Sequence, residues 1–316
     1  MKKNKGFYII LICSILFLNG CIKKSVDISL KLKKGNLYKV EVDLKEKVSQ
    51  KIKDSSLELE TKSKMGYLCN VTNVDKNKNA DIKVTFDSID IKSSTPNGQT
   101  PINSQQVASQ TSDKLSKVYA AFVGKSFNVK IGEYGKVKQV VGMDDVVNNV
   151  FTELNIKDEK EKEDIKKVIK SKFGEEVITK SIETITSVYP NNKVKVGENW
   201  QQKVAISDQF PIEAERKYNL KESADGTSEI TVDSQIKGKE DAEPKITDNL
   251  KITYEEIKGT EKGVINLNEE NGLVKNAEME VQFSGKMKLY SDDPNLGTQT
   301  FPISYTEKTV VNVLRQ

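Results

Sequence analysis

The sequence of 316 residues contains no histidine, three cysteines and a single tryptophan. Without histidine there is no Ser-His-Asp or Cys-His nucleophile pair, no His-ligated zinc or haem, and no side chain that ordinarily titrates near neutral pH. Three cysteines are too few for a disulfide framework or a four-thiolate zinc site. The sequence also offers no cofactor-binding or metal-binding motif. Most common catalytic and metal chemistry is therefore excluded.

The chain also lacks a hydrophobic run long enough to span a membrane. Lys2, Lys3 and Lys5 precede an apolar run of twelve residues, Phe7–Leu18, and small residues follow it. This arrangement is typical of a secretory signal peptide. A hydrocarbon core of about 30 Å requires roughly 20 apolar residues, so the run is too short for a permanent membrane span. We predict that residues 1–20 are a signal peptide and are removed.

The end of that run resembles the lipobox of bacterial lipoproteins, with Leu18, Asn19 and Gly20 followed by Cys21. In a lipobox the cysteine thiol receives a diacylglycerol, and a signal peptidase that recognises the three preceding residues cleaves in front of it. Two acyl chains anchor a protein stably, because each buried CH₂ contributes about 0.8 kcal/mol. We predict a protein anchored to the cell membrane through Cys21 and facing outside the cytoplasm. A plain signal peptide or signal anchor with an incidental cysteine is the alternative.

The charge of the chain gives no indication of a nucleic-acid partner. Lysine and arginine total 50 against 46 acidic residues, a formal charge of +4, which falls to +1 when residues 1–20 are lost. A nearly neutral domain has no electrostatic footprint for nucleic acid or anionic lipid headgroups. The predicted partners are the membrane, through the lipid on Cys21, and an envelope protein or hydrophobic ligand of unknown identity.

The pattern of apolar residues predicts an α+β fold with two β-rich antiparallel halves and helices between them. Residues 21–27 form the lipidated N-terminus and a short tether, 28–143 the first half, 144–189 a helical segment and 190–316 the second half. Apolar and polar residues alternate through both halves, as in strands with one wet face. In the helical segment apolar residues recur every three or four positions, as amphipathic helices that pack on sheets require.

The first half carries three finer predictions. The alternating residues 28–32 are predicted as its first strand, and a single helix is predicted at about 104–123. The apolar positions change parity at Asp87-Ser88, which indicates a β-bulge.

Turn signals divide the second half. Asp225-Gly226 and Asn271-Gly272 have the composition of two-residue hairpin turns. Between them, alternation predicts two separate short strands, at 252–254 and 264–267.

The two halves resemble each other, and we predict an internal duplication. Gly35 and Tyr38 have the same spacing as Gly197 and Trp200, and further strand-and-turn segments follow in the same order in both halves. Long alternating strands tend to curve, and a curved sheet covered by a helix can enclose an apolar cavity.

The block Pro190–Trp200, with Gly124–Phe127 and Gly135–Val137 before it and Tyr218 after it, resembles a family of bacterial lipoproteins that is catalogued only as a domain of unknown function. The resemblance covers most of the chain behind the lipobox, and its motifs are structural glycines and aromatic residues. It implies a cell-surface or periplasmic lipoprotein without a known activity. No functional residue follows from it beyond Cys21.

Three functions are compatible with the sequence. The first is a non-enzymatic binding or scaffold protein of the cell envelope, in accord with the anchor, the neutral charge and the lack of catalytic motifs. The second is a carrier of a lipid or other hydrophobic ligand in a cavity between a curved sheet and helices. The third is an envelope hydrolase that uses two carboxylates. The most visible acidic pair, Asp144-Asp145, is interpreted as a helix cap.

Four other conspicuous features have structural interpretations. Cys69 lies among alternating apolar residues and is predicted to be a buried small hydrophobic residue. Trp200 is predicted to be a core anchor. The segment Asp75–Asn79 is predicted to be a turn, because it lacks the glycine and closing glutamate of a calcium loop. The mixed charges at 158–163 are typical of a solvated helix face.

Overall fold

A computed structural model of the chain describes residues 25–52, 55–95, 98–103, 114–206, 210–247, 250–291 and 297–316. The predicted lipobox, Leu18, Asn19, Gly20 and Cys21, lies outside the described residues. So does the stretch 104–113 of the predicted helix 104–123.

The elements are numbered here in chain order. The helices are α1 (Lys114–Phe122), α2 (Met143–Glu153), α3 (Glu159–Phe173) and α4 (Glu175–Thr186). Within the described ranges the strands are β1 (Ser25–Val26), β2 (Leu37–Ile52), β3 (Ser55–Val74), β4 (Ala80–Thr95), β5 (Gly98–Asn103), β6 (Ser126–Ile131), β7 (Val137–Val141), β8 (Val194–Lys195), β9 (Asn199–Ala205), β10 (Ile212–Ala224), β11 (Thr227–Gly238), β12 (Lys245–Thr247), β13 (Leu250–Asn268), β14 (Val274–Ser291) and β15 (Thr298–Arg315).

One antiparallel sheet contains nearly all of these strands. Its order is β7-β6-β4-β3-β2-β15-β14-β13-β11-β10-β9, with β5 on β4 and β12 on β13. Strand β2 pairs with β15, so that Val42 lies opposite Val311 in the middle of the sheet. Strands β1 and β8 form a separate two-stranded ribbon. The predicted α+β, β-rich antiparallel fold is confirmed, and the two predicted halves share one sheet.

The sheet is strongly curved, as hydrogen bonds between distant strands require. Leu30 N donates to Glu133 O in the β6–β7 turn, and the next amide, Lys31 N, donates to Asn271 O in the β13–β14 turn, each at 2.8 Å. Five strand spacings separate these turns in the sheet, which amounts to about 24 Å in a flat sheet. Adjacent amides cannot span that distance, so the sheet must bend around this end of the molecule.

The prediction of a strand at residues 28–32 is wrong. Of residues 25–32, only Ser25–Val26, strand β1, pair with another strand. The chain beyond β1 crosses the end of the curved sheet. Ile28 and Leu30 are nevertheless buried. The alternation therefore reflects an irregular segment that is buried on one side. The backbone amides of this segment donate hydrogen bonds to turns of the sheet.

The predicted helical segment is divided into three helices. Asn155, with a left-handed φ of 52°, follows the end of α2, and Gly174 separates α3 from α4. The Asp158 side chain caps α3 by accepting a hydrogen bond from Glu161 N at 2.7 Å. No described helix has the length and apolar character needed to cross a membrane.

The predicted bulge is confirmed. Tyr67 pairs with Phe86 and Gly66 pairs with Ser88, which leaves Asp87 without a partner in the ladder. The extra residue moves the apolar side chains back to the inner face, which explains the change of parity in the sequence.

Both predicted hairpins of the second half are confirmed, the first with the predicted two-residue turn. Asp225 and Gly226 have φ values of 50° and 70°, as a turn of this hand requires, and they connect β10 to β11. Gly272 has a φ of 72° and lies between β13 and β14, in a connection of residues 269–273 that is longer than a two-residue turn; a Cβ on it would lie 1.8 Å from Ser29 O. Only glycine fits there.

The glycines that open the two halves have matching surroundings. Gly35 N donates to Val71 O at 2.8 Å, and Gly197 N donates to Leu220 O at 2.6 Å. Their φ values are 86° and 84°. The local geometry is alike at both sites, while the duplication of the whole halves stays a prediction.

Candidate functional site

An apolar cavity of about 240 Å³ lies between the inner face of the sheet and helix α4. Ile178, Ile182 and Ile185 of α4 form its roof, and Leu30 and Leu32 of the N-terminal segment line one end. Its floor is made of aliphatic and aromatic side chains from β2, β4, β6 and β15: Val40, Val42, Ile82, Val84, Phe86, Phe127, Val129, Ile131, Val311 and Val313.

Period-two alternation places these floor residues together. Val40, Val42, Val311 and Val313 face inwards from the two central strands, where Val42 pairs with Val311 and Val40 with Val313. Strand β3 brings Tyr67 opposite Val40. The cavity floor therefore contains residues from both ends of the described chain.

Helix α4 is incompletely buried although it is amphipathic. Its isoleucines at positions 178, 182 and 185 lie on one face, yet no residue of α4 is fully buried. By contrast, Ile169 and Phe173 of α3 are only 1% and 4% exposed, in an aromatic cluster with Phe86 and Phe122. The apolar face of α4 therefore packs in part against the core and in part lines the cavity.

Two of the polar side chains that line the cavity have strong backbone partners. Thr186 Oγ1 lies 2.7 Å from Gly135 O, and Tyr189 Oη donates to Gly272 O at 2.7 Å. These bonds tie the chain behind α4 to the β6–β7 and β13–β14 turns. Both side chains hold the roof in place.

Tyr67 and Cys69 form a different pair of polar positions, on the inner face of β3. Both retain accessible surface although protein surrounds them, because that surface faces the cavity. Burial raises the pKa of Tyr67 and raises the pKa of the Cys69 thiol to about 12. Tyr67 Oη donates to Met65 Sδ at 3.2 Å. Cys69, predicted to be a buried small hydrophobic residue, is half-buried at the cavity wall.

A buried ion pair anchors the C-terminal end of α4. Arg216 and Glu261 are 4% and 1% exposed, and Arg216 donates through Nε at 2.8 Å and Nη2 at 2.5 Å to the two Glu261 oxygens. Its Nη1 donates to Thr184 O at 2.5 Å and Ser187 Oγ at 2.9 Å. Strand β11 lies between β10 and β13 in the sheet, and its Ser234 pairs with Glu261 of β13. This arrangement fixes α4 to the second half of the sheet.

Trp200 completes the attachment of α4. Its ring stacks on Tyr218 with centroids 5.4 Å apart, and its Nε1 donates to Val188 O at 3.0 Å. Gln202 Nε2 donates to Tyr189 O at 2.7 Å. The interpretation of Trp200 as a core anchor is therefore in accord with its contacts.

Two carboxylates meet on the inner face beyond the cavity. Glu46 and Glu307 are opposite each other in the β2–β15 ladder, and Tyr305 Oη lies 2.9 Å and 2.5 Å from their oxygens. Thr309 Oγ1 donates to the other Glu307 oxygen at 2.9 Å. Burial raises the pKa of Glu307. The carboxylates are engaged by neighbouring hydroxyls.

The acidic features singled out in the sequence have structural surroundings. Asp75 Oδ1 accepts from Asn77 N at 2.8 Å and Asn79 N at 2.9 Å, which confirms the turn. The hydrogen bonds from Asn79 lower the pKa of Asp75. Asp144 and Asp145 are exposed in the first turn of α2, which confirms their position at a helix start, but the N-cap itself is Gly142.

Sequence reasoning missed Arg216, Glu261 and Tyr67. A signal was present for Arg216, because it stands at an inward position between Ala214 and Tyr218 in an alternating strand. A charge at such a position needs a buried partner. The sequence gives no register between strands, so it does not identify Glu261 as that partner.

The fold is thus a curved antiparallel sheet with an apolar cavity under a fixed helix. The chain belongs to a family of unknown function, DUF6263, whose profile matches residues 77–274. No curated protein matches the chain.

Solved structures provide a fold comparison. A structure described as lipid-protein interactions in lipovitellin has a TM-score of 0.51 and 8% identity, and the match covers 90% of this chain and 25% of the other. The chain thus spans about a quarter of the lipovitellin chain. An outer membrane channel from Pseudomonas putida F1 has a TM-score of 0.22 and 7% identity, with 90% and 97% of the two chains covered. The likeness to lipovitellin concerns the fold.

Proposed function

We propose that this protein is a lipid-anchored binding protein of the cell envelope that holds a lipid or another hydrophobic ligand in the cavity under α4. The observation that carries the proposal is the apolar cavity of about 240 Å³ beneath an amphipathic helix whose isoleucines are not fully buried. Binding sites for such ligands are concave and mostly apolar.

The apolar lining of the cavity favours occupation by an apolar molecule. Such a molecule would cover lining side chains that otherwise face water, and this contributes about 25 cal/mol per Å² of apolar surface removed from water. A ligand that binds only the folded state then stabilises the protein in proportion to its affinity and concentration.

The fold likeness to lipovitellin is in line with this proposal. The lipovitellin structure is described by its lipid-protein interactions, and its TM-score with this chain is 0.51. At 8% identity the likeness concerns the shape of the sheet and carries no residue of a lipid site across. The residues that line the cavity are therefore identified from this chain alone.

The proposed anchor would place the cavity close to a source of lipid. Cys21 precedes Ser25, the first described residue, by four positions, and four extended residues span at most about 14 Å. Leu30 and Leu32, a few residues further, line the cavity. A diacylglycerol on Cys21 would hold this wall near the membrane surface.

Binding, and not catalysis, is the proposed activity. Glu46 and Glu307 lie together, but Tyr305 spans them and Thr309 occupies a further Glu307 oxygen. A hydrolase that uses two carboxylates needs both free to reach substrate and water. These contacts favour a structural role for the pair.

Native mass spectrometry of the exported Cys21→Ser chain tests the proposal. We expect a stoichiometric hydrophobic molecule with this chain, and its loss from an Ile182→Trp variant, whose larger side chain occupies the cavity. Val168→Trp is the matched control, because Val168 lies on the neighbouring helix and is 39% exposed. If no molecule accompanies the protein and no neutral naphthylamine dye binds it, the proposal is wrong and the scaffold function is favoured.

A further inference from the structure

We propose that Glu46, Tyr305 and Glu307 hold one extra proton at neutral pH, so that the two carboxyl groups carry a single negative charge between them. Release of this proton at higher pH weakens the pairing of β2 with β15. The inference concerns the centre of the sheet and is independent of the proposed ligand.

A row of mostly polar residues crosses the inner face of the sheet beyond the cavity. Successive strand pairs place its members opposite each other, in the order Ser93, Thr61, Glu46, Glu307, Val281, Glu261 and Ser234. Glu307 therefore faces Glu46 from β2, the neutral Val281 from β14, and Glu261 from β13 one strand further. Arg216 of β10 is bound to both oxygens of Glu261. The charge of Glu46 and Glu307 is not balanced by this arginine.

The hydroxyl of Tyr305 connects the two carboxyl groups. Its Oη lies 2.9 Å from Glu46 Oε1 and 2.5 Å from Glu307 Oε2, both within hydrogen-bond distance. A hydroxyl has one proton and donates to one partner, while an ionised carboxylate only accepts. With both carboxyl groups ionised, one of these contacts would have no hydrogen, and oxygen lone pairs would face each other. A proton on one carboxyl group completes the chain: that group donates to Tyr305, and Tyr305 donates to the other.

Glu307 is the better holder of this proton. Thr309 Oγ1 donates to Glu307 Oε1 at 2.9 Å, so Oε2 is the oxygen that donates to Tyr305. Burial raises the pKa of Glu307, the charges of Glu46 and Glu261 raise it as well, and the hydrogen bonds from Tyr305 and Thr309 oppose this only in part. Because two carboxyl groups this close titrate together, the apparent pKa belongs to the pair.

Loss of the proton acts on the central ladder of the sheet. Glu46 and Glu307 pair directly across β2 and β15, and like charges directly opposite each other destabilise a strand pair. Val42 and Val311 of the cavity floor pair in the same ladder. The carboxyl pair is therefore a pH-sensitive joint in the part of the sheet that supports the cavity.

The sign of the pH dependence follows from proton binding. The apparent pKa of the folded pair is raised above the ordinary glutamate value of about 4.3. The stability that the pair contributes is therefore complete below about pH 4.3 and is lost as the pH rises through the folded value. While the folded state keeps the proton, the equilibrium constant of unfolding rises about tenfold per pH unit.

Glu307→Gln imitates the protonated pair without a group that titrates. Its amide nitrogen donates to Tyr305, and its amide oxygen accepts from Thr309. Urea unfolding is measured for the exported Cys21→Ser chain with and without this change. The unfolding constant of the chain with Glu307, relative to that of Glu307→Gln, should rise about a hundredfold between about pH 5 and pH 7.

Glu215→Gln is the matched control. Glu215 is exposed on the outer face of β10, so the same chemical change there leaves the inner row intact. Its effect on the unfolding constant should be the same at both pH values within about twofold.

The infrared spectrum tests the proton directly and does not depend on a variant. Exposed carboxyl groups are ionised at pH 7, and the carbonyl stretch of a protonated carboxyl group is separate from the carboxylate bands. We expect this band in the folded Cys21→Ser chain at pH 7, its loss on thermal unfolding, and its absence from Glu307→Gln.

The two measurements decide the proposal together. A protonated-carboxyl band at pH 7 and the hundredfold change relative to Glu307→Gln support it. The proposal is overturned if the folded chain has no such band at pH 7, or if the ratio of unfolding constants is the same at both pH values. If Glu307→Gln does not fold, the band of the Cys21→Ser chain and its loss on unfolding decide.

Discussion

Replacement of Arg216 by methionine should destabilise the protein strongly, and a second replacement at Glu261 should restore part of the loss. The first change keeps a long apolar side chain but removes the donors that reach Glu261, Thr184 and Ser187. Glu261, 1% exposed, is then a buried carboxylate without its ion-pair partner. A charge buried without a counter-charge loses its hydration and gains nothing in return.

The magnitude follows from the loss of one partner of a buried pair. Such a loss destabilises a protein by about 3–5 kcal/mol, because the remaining charge is left uncompensated. The lost bonds to Thr184 and Ser187 add about 1 kcal/mol each.

In the double variant Arg216→Met with Glu261→Gln, the amide carries no charge, so the cost of the uncompensated carboxylate is absent. We expect the double variant to be more stable than Arg216→Met by about 2 kcal/mol, although both lack the donors to Thr184 and Ser187.

Urea unfolding of the unmodified protein and of both variants measures this difference. Trp200 is the single tryptophan of the chain, and its ring nitrogen donates to the backbone just after α4, so its fluorescence reports the relevant region. A double variant that is no more stable than Arg216→Met would refute the reasoning.

Three further predictions concern the cavity and its end wall. Cys69→Leu should fill part of the cavity, raising the free energy of unfolding by about 0.5–2 kcal/mol while weakening dye binding; a lower melting temperature with unchanged dye affinity would contradict this. With a pKa of about 12, the Cys69 thiol in the folded protein should react with iodoacetamide at pH 8 far more slowly than in urea, as followed by mass spectrometry. Gly272→Ala should lower the free energy of unfolding by more than about 1 kcal/mol, because its Cβ would lie 1.8 Å from Ser29 O. Gly226→Ala is the control: nothing lies within 4 Å of its Cβ, so it should show only the backbone strain of its φ of 70°.

Much of the strand pattern was predictable because one face of each strand is buried. The two hairpin turns and the bulge at Asp87 were predicted from residues that lie next to each other in the chain. The segments 252–254 and 264–267 are confirmed as strand, but their separation into two short strands was wrong, since both lie in β13, which runs from Leu250 to Asn268. Its inner face includes Glu261, and a buried charge at an inward position interrupts the alternation that identifies a strand.

The candidate site was predictable in outline only. A curved sheet under a helix was foreseen to enclose a cavity, but curvature depends on bonds such as Leu30 N to Glu133 O, between residues far apart in the chain. The helical segment was foreseen as one block, because an apolar stripe continues across Gly174. That Tyr67 lacks an oxygen partner depends on three-dimensional packing and has no signal in the sequence.

The pairing of β2 with β15 has a consequence for how the chain folds. Tyr38 lies opposite Arg315 and Gln50 opposite Ile303, so the central ladder joins residues more than 250 positions apart. Closing so large a loop is entropically expensive, and folding slows as contacts become less local. We expect slow, late formation of the sheet centre, with the cavity floor absent until β15 arrives. A newly made chain would therefore expose Val40 and Val42 until its last strand docks, and the cavity could hold a ligand only after that step.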